Sequence, residues 1–150
     1  MMKNVLPLLI DRAQVLRDKH VAQARETLTT LQTAQQVLQR LDDFRAEFIA
    51  RSPASSGATA DSQALLDYQQ FVGRLDEAIA QQRQECARRQ QRNDAAQRQL
   101  LDSQRRVVAL QSWQRREAAA LVAKDNRRTQ READEFATRA AGCYTGEALQ

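Results

Sequence analysis

The sequence predicts an all-α protein of two long helices that form an antiparallel coiled-coil hairpin, with the second helix longer than the first. Three observations lead to this fold class. Helix-favouring residues dominate, with 25 Ala, 21 Gln, 20 Arg and 16 Leu among 150 residues. Apolar residues recur with a seven-residue repeat, which is typical of coiled coils. Only residues 51–62 gather Pro, Gly and Ser as a chain reversal does.

Composition also excludes several classes of protein. The chain has 4 Gly and 2 Pro, so it lacks the frequent turns of an α/β or all-β enzyme. Aromatic residues make up 5% of it, which is too few to fill a thick globular core. The apolar run at residues 5–10 is interrupted by Asp11 and Arg12, so we expect neither a signal peptide nor a membrane span.

We therefore expect one coiled-coil hairpin domain over residues 1–150. Helix 1 covers about residues 5–50, a loop covers 51–62, helix 2 covers about 63–141, and a flexible tail covers 142–150. Gly142 is a plausible stop signal for helix 2 because glycine is common just past helix ends. For Gly73, in the interior of helix 2, we expect a close approach of the two helices.

The heptad repeat predicts which residues face the partner helix. In helix 1 the predicted seam positions are Leu6, Leu9, Ala13, Leu16, His20, Gln23, Thr27, Thr30, Ala34, Val37, Leu41, Phe44 and Phe48. In helix 2 they are Leu65, Tyr68, Val72, Leu75, Ile79, Gln82, Cys86, Arg89, Asn93, Ala96, Leu100, Ser103, Val107 and Leu110. The middle of helix 1 has a second candidate seam, formed by Val21, Ala24, Leu28 and Leu31.

A register for the hairpin follows from matching apolar with apolar positions. With Phe48 opposite Leu65, the polar residues of the two seams also coincide, since His20 faces Asn93 and Thr27 faces Cys86. This coincidence favours an intramolecular hairpin, because a random pairing would place polar seam residues against leucines.

Helix 2 extends beyond its predicted partner by roughly 30 residues, on the order of 45 Å at 1.5 Å per residue. This unpaired stretch is basic: over residues 105–131, eight Arg and Lys outweigh two acidic residues. One interpretation of this basic stretch is an ordinary solvent-exposed helix face. Trp113 beside Arg115 and Arg116 favours a binding surface, because Trp and Arg are enriched in binding hot spots.

No catalytic or metal-binding constellation is present in the sequence, so we expect neither an enzyme nor a cofactor nor a metal site. The chain has one His and no Gly-rich phosphate loop, G-x-S-x-G or H-E-x-x-H motif. His20 and Cys86 are interpreted as seam residues, and Cys143 has no partner in a C-x-x-C motif.

Four of the aromatic residues lie near the predicted loop. Phe44, Phe48 and Tyr68 occupy seam positions, so they are expected to form a hydrophobic plug. Phe71 lies beside the seam and begins a partly outward stripe at spacings of 4, 3 and 4, with Leu75, Ala78 and Gln82. A partner could dock there.

Several segments of helix 2 resemble a known family. They are Tyr68-Gln-Gln-Phe71, Leu75-Asp-Glu-Ala-Ile79, the run from Trp113 to Arg128, and Asp134-Glu-Phe-Ala137. These residues are similar to those of the FliJ family, the soluble stalk proteins of the flagellar type III export apparatus. Helix 1 matches only as a generic coiled-coil arm.

The resemblance implies a non-enzymatic cytoplasmic hairpin, peripheral to the inner membrane at the flagellar base and analogous to the γ subunit of rotary ATP synthases. Its implied partners are the hexameric export ATPase, the export gate protein FlhA and substrate-specific export chaperones. The family's gate-binding stripe maps onto Phe71, Leu75, Ala78 and Gln82. Candidates for the ATPase-ring side are Trp113, Arg115, Arg116, Lys124, Arg127 and Arg128.

Two alternatives remain open at this stage. One is the equivalent stalk of a virulence type III secretion system. The residues of helix 2 favour the flagellar stalk over this one. The other is a basic nucleic-acid-binding coiled coil that uses its Arg pairs on phosphates, with an affinity that falls steeply with salt. We expect no nucleic-acid partner and contact with the membrane only through partner proteins.

Overall fold

Two α-helices account for nearly all of the described chain. The computed structural model describes residues 5–52 and 62–147, with α1 at Leu6–Ala50 and α2 at Ser62–Glu147. The two helices pack against each other, the second is longer, and the described residues contain no strand. The predicted fold class, an all-α antiparallel coiled-coil hairpin, is therefore confirmed. Neither of the described helices contains an apolar stretch that could span a membrane.

Tertiary packing groups the chain into two units. One unit is Gln14–Gln104, in which α1 and α2 are joined by aromatic, hydrogen-bonding and ionic contacts. The other combines Met1–Ala13 with Arg105–Gln150, and within it Leu6, Ile10 and Val107 are buried.

The predicted seam of α2 is found at the positions that the heptad repeat gives. From Tyr68 to Leu110 every one of these positions is buried or half-buried. The exception is Leu65, at the start of the helix, which is 40% exposed. The strict repeat succeeds on this helix because polar side chains flank most of its seam residues, so only one stripe can be buried.

The predicted seam of α1 is wrong at every second position. Ile10 and Leu31 are buried where the repeat predicted Leu9 and Thr30. The observed seam advances by four and then three residues, whereas the prediction advanced by three and then four. Adjacent apolar residues such as Leu9 and Ile10 satisfy both spacings, so the partner helix decides which is buried. The alternative seam through Ala24 and Leu31 is the one the structure buries, although Leu28 remains 40% exposed.

The predicted register is also wrong, by about half a heptad. The ring of Phe48 stacks on Tyr68, at 5.1 Å between centroids, instead of facing Leu65. The shift is in the same direction at Ala34. Its carbonyl oxygen accepts a hydrogen bond from Gln82, whereas the predicted register placed Ala34 opposite Ile79. This register brings the aromatic rings of the two helices together. Such ring pairs stabilise a fold by more than their buried apolar area alone would.

The polar pairs of the seam differ accordingly. Asn93 is buried and hydrogen-bonds with the hydroxyl of Thr27 at 3.2 Å, rather than meeting His20. The ring of His20 lies 3.3 Å from the amide oxygen of Gln23 on its own helix. Thr27 had been expected to face Cys86. Polar seam residues of the two helices do meet, as predicted, but the pair that forms is Thr27 with Asn93.

Helix α2 continues past its predicted end. The chain passes helically through Gly142 and on to Glu147, so the residues predicted as a tail are helical at least that far. The hydroxyl of Thr145 lies within hydrogen-bond distance of the carbonyl oxygens of Ala141 and Gly142, which is ordinary behaviour for a threonine inside a helix. The predicted loop falls largely on residues 53–61, which lie outside the described residues.

Gly73 is not explained by a close approach of the helices. It is exposed in the interior of α2, and a Cβ atom built there meets nothing within 4 Å. The glycine therefore costs conformational entropy on folding without a packing benefit.

We expect Gly73→Ala to raise the free energy of unfolding by about 0.5–1 kcal/mol, because alanine restricts the unfolded chain and fits the open helical site. The measurement is urea unfolding followed by circular dichroism. Gln70→Ala, at a neighbouring exposed position, is the control and should change stability by a few tenths of a kcal/mol. A lowered unfolding midpoint for Gly73→Ala would contradict the open site.

Candidate functional site

A cluster of four aromatic rings joins the C-terminal part of α1 to the N-terminal part of α2. Phe48 lies 5.1 Å from Tyr68 and 4.6 Å from Phe71, measured between ring centroids. Phe44 lies 6.3 Å from both Phe48 and Phe71, and its contact with Phe71 is edge-on. The predicted plug of Phe44, Phe48 and Tyr68 is present, and Phe71 completes it.

The four residues of the predicted gate-binding stripe differ in exposure. Phe71 is 38% exposed, whereas Leu75 is 8% exposed and belongs to the seam. Ala78 is half-buried. Gln82 is also half-buried, and its amide donates to the carbonyl oxygen of Ala34 at 2.9 Å. Phe71 is therefore the member of this stripe with a large apolar surface open to a partner.

One side of the seam near this cluster is closed by ion pairs between the helices. The guanidinium of Arg45 donates to the carboxylate of Asp76, and Arg83 lies 4.0 Å from Asp42. The hydrogen bond to Asp76, more than any other interaction, raises the pKa of Arg45 above its ordinary value. Each of these four side chains is more than a third exposed, so the pairs contribute little to stability.

A polar cluster follows along the seam. Arg89 donates from Nη1 to the carbonyl oxygen of Thr30 at 2.8 Å, and from Nε to Glu85 at 2.8 Å. The hydrogen bond from Arg89 lowers the pKa of the Glu85 carboxyl, and the charges of Arg88 and Arg92 act in the same direction. The sequence marks Arg89 as a seam residue, but its partners depend on the register and could not be predicted.

The basic segment of α2 is open to solvent. Residues 118–146 are exposed, and Trp113 is 41% exposed. At about 100° per residue, Trp113, Arg116, Lys124 and Arg127 share one face of the helix. Arg115 lies on the opposite face. Within this segment the described residues form one ion pair, Arg128 with Glu132 at 3.3 Å, so most of its cations have no carboxylate partner in that part of the chain.

Residues around Trp113 shape a shallow depression on this surface. It is lined by Trp113, Arg116, Glu117 and Ala120. The Trp113 indole beside the Arg116 guanidinium brings together two residue types that are enriched in interface hot spots.

Metal chemistry has no evident centre in the part of the chain that the structure describes. No group of three or more His, Cys, Asp or Glu residues there lies close enough to hold a metal ion. Cys86 is half-buried in the seam and Cys143 is exposed.

The packing and the surface chemistry together define a helical coiled-coil hairpin with an aromatic cluster and a separate basic segment on α2. Comparison with known proteins identifies its family. A family model described as "Flagellar FliJ protein" matches residues 2–142. The chain is also 32% identical to the Flagellar FliJ protein of Escherichia coli (strain K12) over 130 residues, covering 84% of this chain and 88% of that protein. The Flagellar FliJ protein of Salmonella typhi gives the same figures. The chain belongs to the FliJ family.

The Glu85 carboxyl should titrate below its ordinary pKa of 4.5 in the folded protein. Because its folded-state pKa is lowered, the ion pair stabilises the fold above the unfolded-state pKa, and this contribution is lost as pH falls through the folded-state pKa. We expect Arg89→Gln to return the pKa of Glu85 most of the way to the ordinary value, as measured by NMR titration.

Arg88→Gln is the matched control for that titration. Arg88 lies 3.4 Å from Glu85 and acts on it through charge, so its removal should raise the pKa of Glu85 by less than removal of Arg89 does. Equal effects of the two variants would contradict the dominant role of the Arg89 hydrogen bond.

Proposed function

We propose that this chain is a component of the flagellar type III export apparatus that links the hexameric export ATPase ring to the export gate protein FlhA and escorts export chaperones. Membership of the FliJ family is the observation that carries this proposal. The role is non-enzymatic. The protein acts in the cytoplasm, at the inner membrane beneath the flagellum, and reaches the membrane through its partners.

The basic segment is the proposed ring-binding surface. Its net charge over residues 105–131 is +6, from eight basic and two acidic residues, and most of these cations have no carboxylate partner among the residues that the structure describes. A helix that carries unneutralised charge and an exposed Trp113 is suited to a partner with acidic groups around an apolar contact. Trp113, Arg116, Lys124, Arg127 and Arg128 are assigned to this contact, with Arg115 on the far side of the helix.

The aromatic cluster carries the proposed gate-binding surface. Phe71 presents the largest apolar contact, and Ala78 lies on the same side of α2 two turns further on. Leu75 and Gln82 belong to the seam, where Leu75 is buried and Gln82 donates to the carbonyl oxygen of Ala34. The two proposed surfaces occupy different stretches of α2, so both partners can be bound by one continuous helix.

Charge reversal tests the ring contact. The triple substitution Arg116→Glu, Lys124→Glu and Arg127→Glu should abolish co-purification with the export ATPase, because it replaces three cations on one face with carboxylates. The matched control is Lys19→Glu, Arg25→Glu and Arg98→Glu, which changes the net charge equally at exposed positions elsewhere. The control should retain the ATPase.

Two results would count against the ring assignment. One is retention of the ATPase by the first triple variant. The other is tight binding of duplex DNA by the unmodified chain at physiological salt, lost in the same variant, which would support the nucleic-acid alternative.

Substitution of Phe71 tests the gate contact. Phe71→Ala should weaken binding of the cytoplasmic part of FlhA by roughly tenfold or more, because an aromatic anchor is removed from the surface. A thermal melt is required alongside, since Phe71 also packs on Phe48. Unchanged affinity in a folded variant would refute the role of Phe71.

A further inference from the structure

The two sides of the helix pair near the aromatic cluster differ in chemistry. On one side, Asp42 and Arg83 form an ion pair across the helices. On the other side, Phe44 of α1 meets Phe71 of α2 edge to face. In an antiparallel coiled coil, residues that flank the seam on the same side of both helices line a common groove. One groove is thus closed by charges, and the opposite one is apolar.

The apolar groove extends by one heptad beyond the two phenylalanines. Val37 lies seven residues before Phe44, and Ala78 lies seven residues after Phe71, so both fall on the same side of the seam in the adjacent layer. Val37 is 39% exposed and Phe44 is 49% exposed, while Ala78 is half-buried. Each helix therefore contributes two apolar side chains to the groove.

Polar and charged residues bound this groove. One heptad further along, Thr30 and Glu85 occupy the equivalent flanking positions, where Arg89 bridges the helices. Arg40 directly precedes a seam residue of α1, and Arg74 directly precedes one of α2. At about 100° per residue both positions lie on the groove side of their helices, so they border the groove. Neither of these two guanidinium groups has a carboxylate within salt-bridge distance in the described ranges.

We propose that this groove, lined by Val37, Phe44, Phe71 and Ala78, is the complete docking site for the gate protein, and that α1 supplies half of it. Its occupant is an amphipathic helix of the gate protein that lays its apolar face between the two helices. Arg40 and Arg74, which have no carboxylate partner among the described residues, favour an occupant with acidic side chains beside its apolar face. The identity of the partner rests on the proposed function; the contribution of α1 rests on the contact between Phe44 and Phe71.

The test uses two variants of α1, both of which leave the aromatic cluster intact. Val37→Gln should weaken binding of the cytoplasmic part of FlhA by roughly fivefold to tenfold, since an exposed aliphatic contact is replaced by a polar group. Arg40→Glu should weaken it by a similar factor and reduce its dependence on salt. Binding is measured by calorimetry with the full chain at two salt concentrations.

Matched controls separate the groove from general surface effects. Leu101→Gln replaces an aliphatic residue that is 46% exposed, and Arg98→Glu reverses an exposed charge, both outside the groove. Both controls should bind as the unmodified chain does, and thermal melts of all four variants should agree to within a few degrees. Loss of binding in the Val37 and Arg40 variants alone supports the proposal.

Three outcomes would overturn it. If Phe71→Ala loses binding while Val37→Gln and Arg40→Glu do not, the gate contact stands and the share of α1 is refuted. If the unmodified chain does not bind FlhA, the proposed function fails and the occupant fails with it. If the chain alone forms a dimer that Val37→Gln abolishes, the groove belongs to a second copy.

Discussion

The narrow apolar seam between α1 and α2 is the interaction on which the rest of the molecule depends. Its buried residues include several alanines, among them Ala24, Ala34 and Ala96, interleaved with larger residues such as Leu31 and Ile79. Small side chains let two helices approach closely, but they also limit the apolar area that each layer removes from water. The stability of the fold is therefore the sum of many small contributions, each from one layer of the seam.

Polar residues within this seam fix which layers meet. Asn93, Arg89 and Gln82 each bond to α1, two of them to its backbone carbonyl oxygens. A shift of register would separate these groups from their partners, and buried polar groups without partners are costly. The alanine-rich layers alone would discriminate poorly between registers, so the polar contacts and the aromatic rings supply the specificity.

The limits of sequence-based prediction follow from the same features. The fold class and the seam of α2 could be predicted because polar residues surround that seam. The seam of α1 could be predicted only as one of two alternatives, because pairs such as Leu9 with Ile10 and Val37 with Leu38 fit either stripe and packing selects one. The basic segment could be recognised from charge alone. The groove beside Phe71 could not, because placing Phe44 next to it requires the register.

The aromatic cluster also lies where the two helices can meet at a small cost in chain entropy. Phe48 and Tyr68 are separated by 20 residues in sequence, whereas Thr27 and Asn93 are separated by 66. Closing the shorter loop loses less chain entropy, and the stacked rings offset part of that loss. We therefore expect the two helices to pair first at the aromatic cluster. The rings that offer an outer surface to a partner are therefore also the contact at which we expect the helix pair to begin to form.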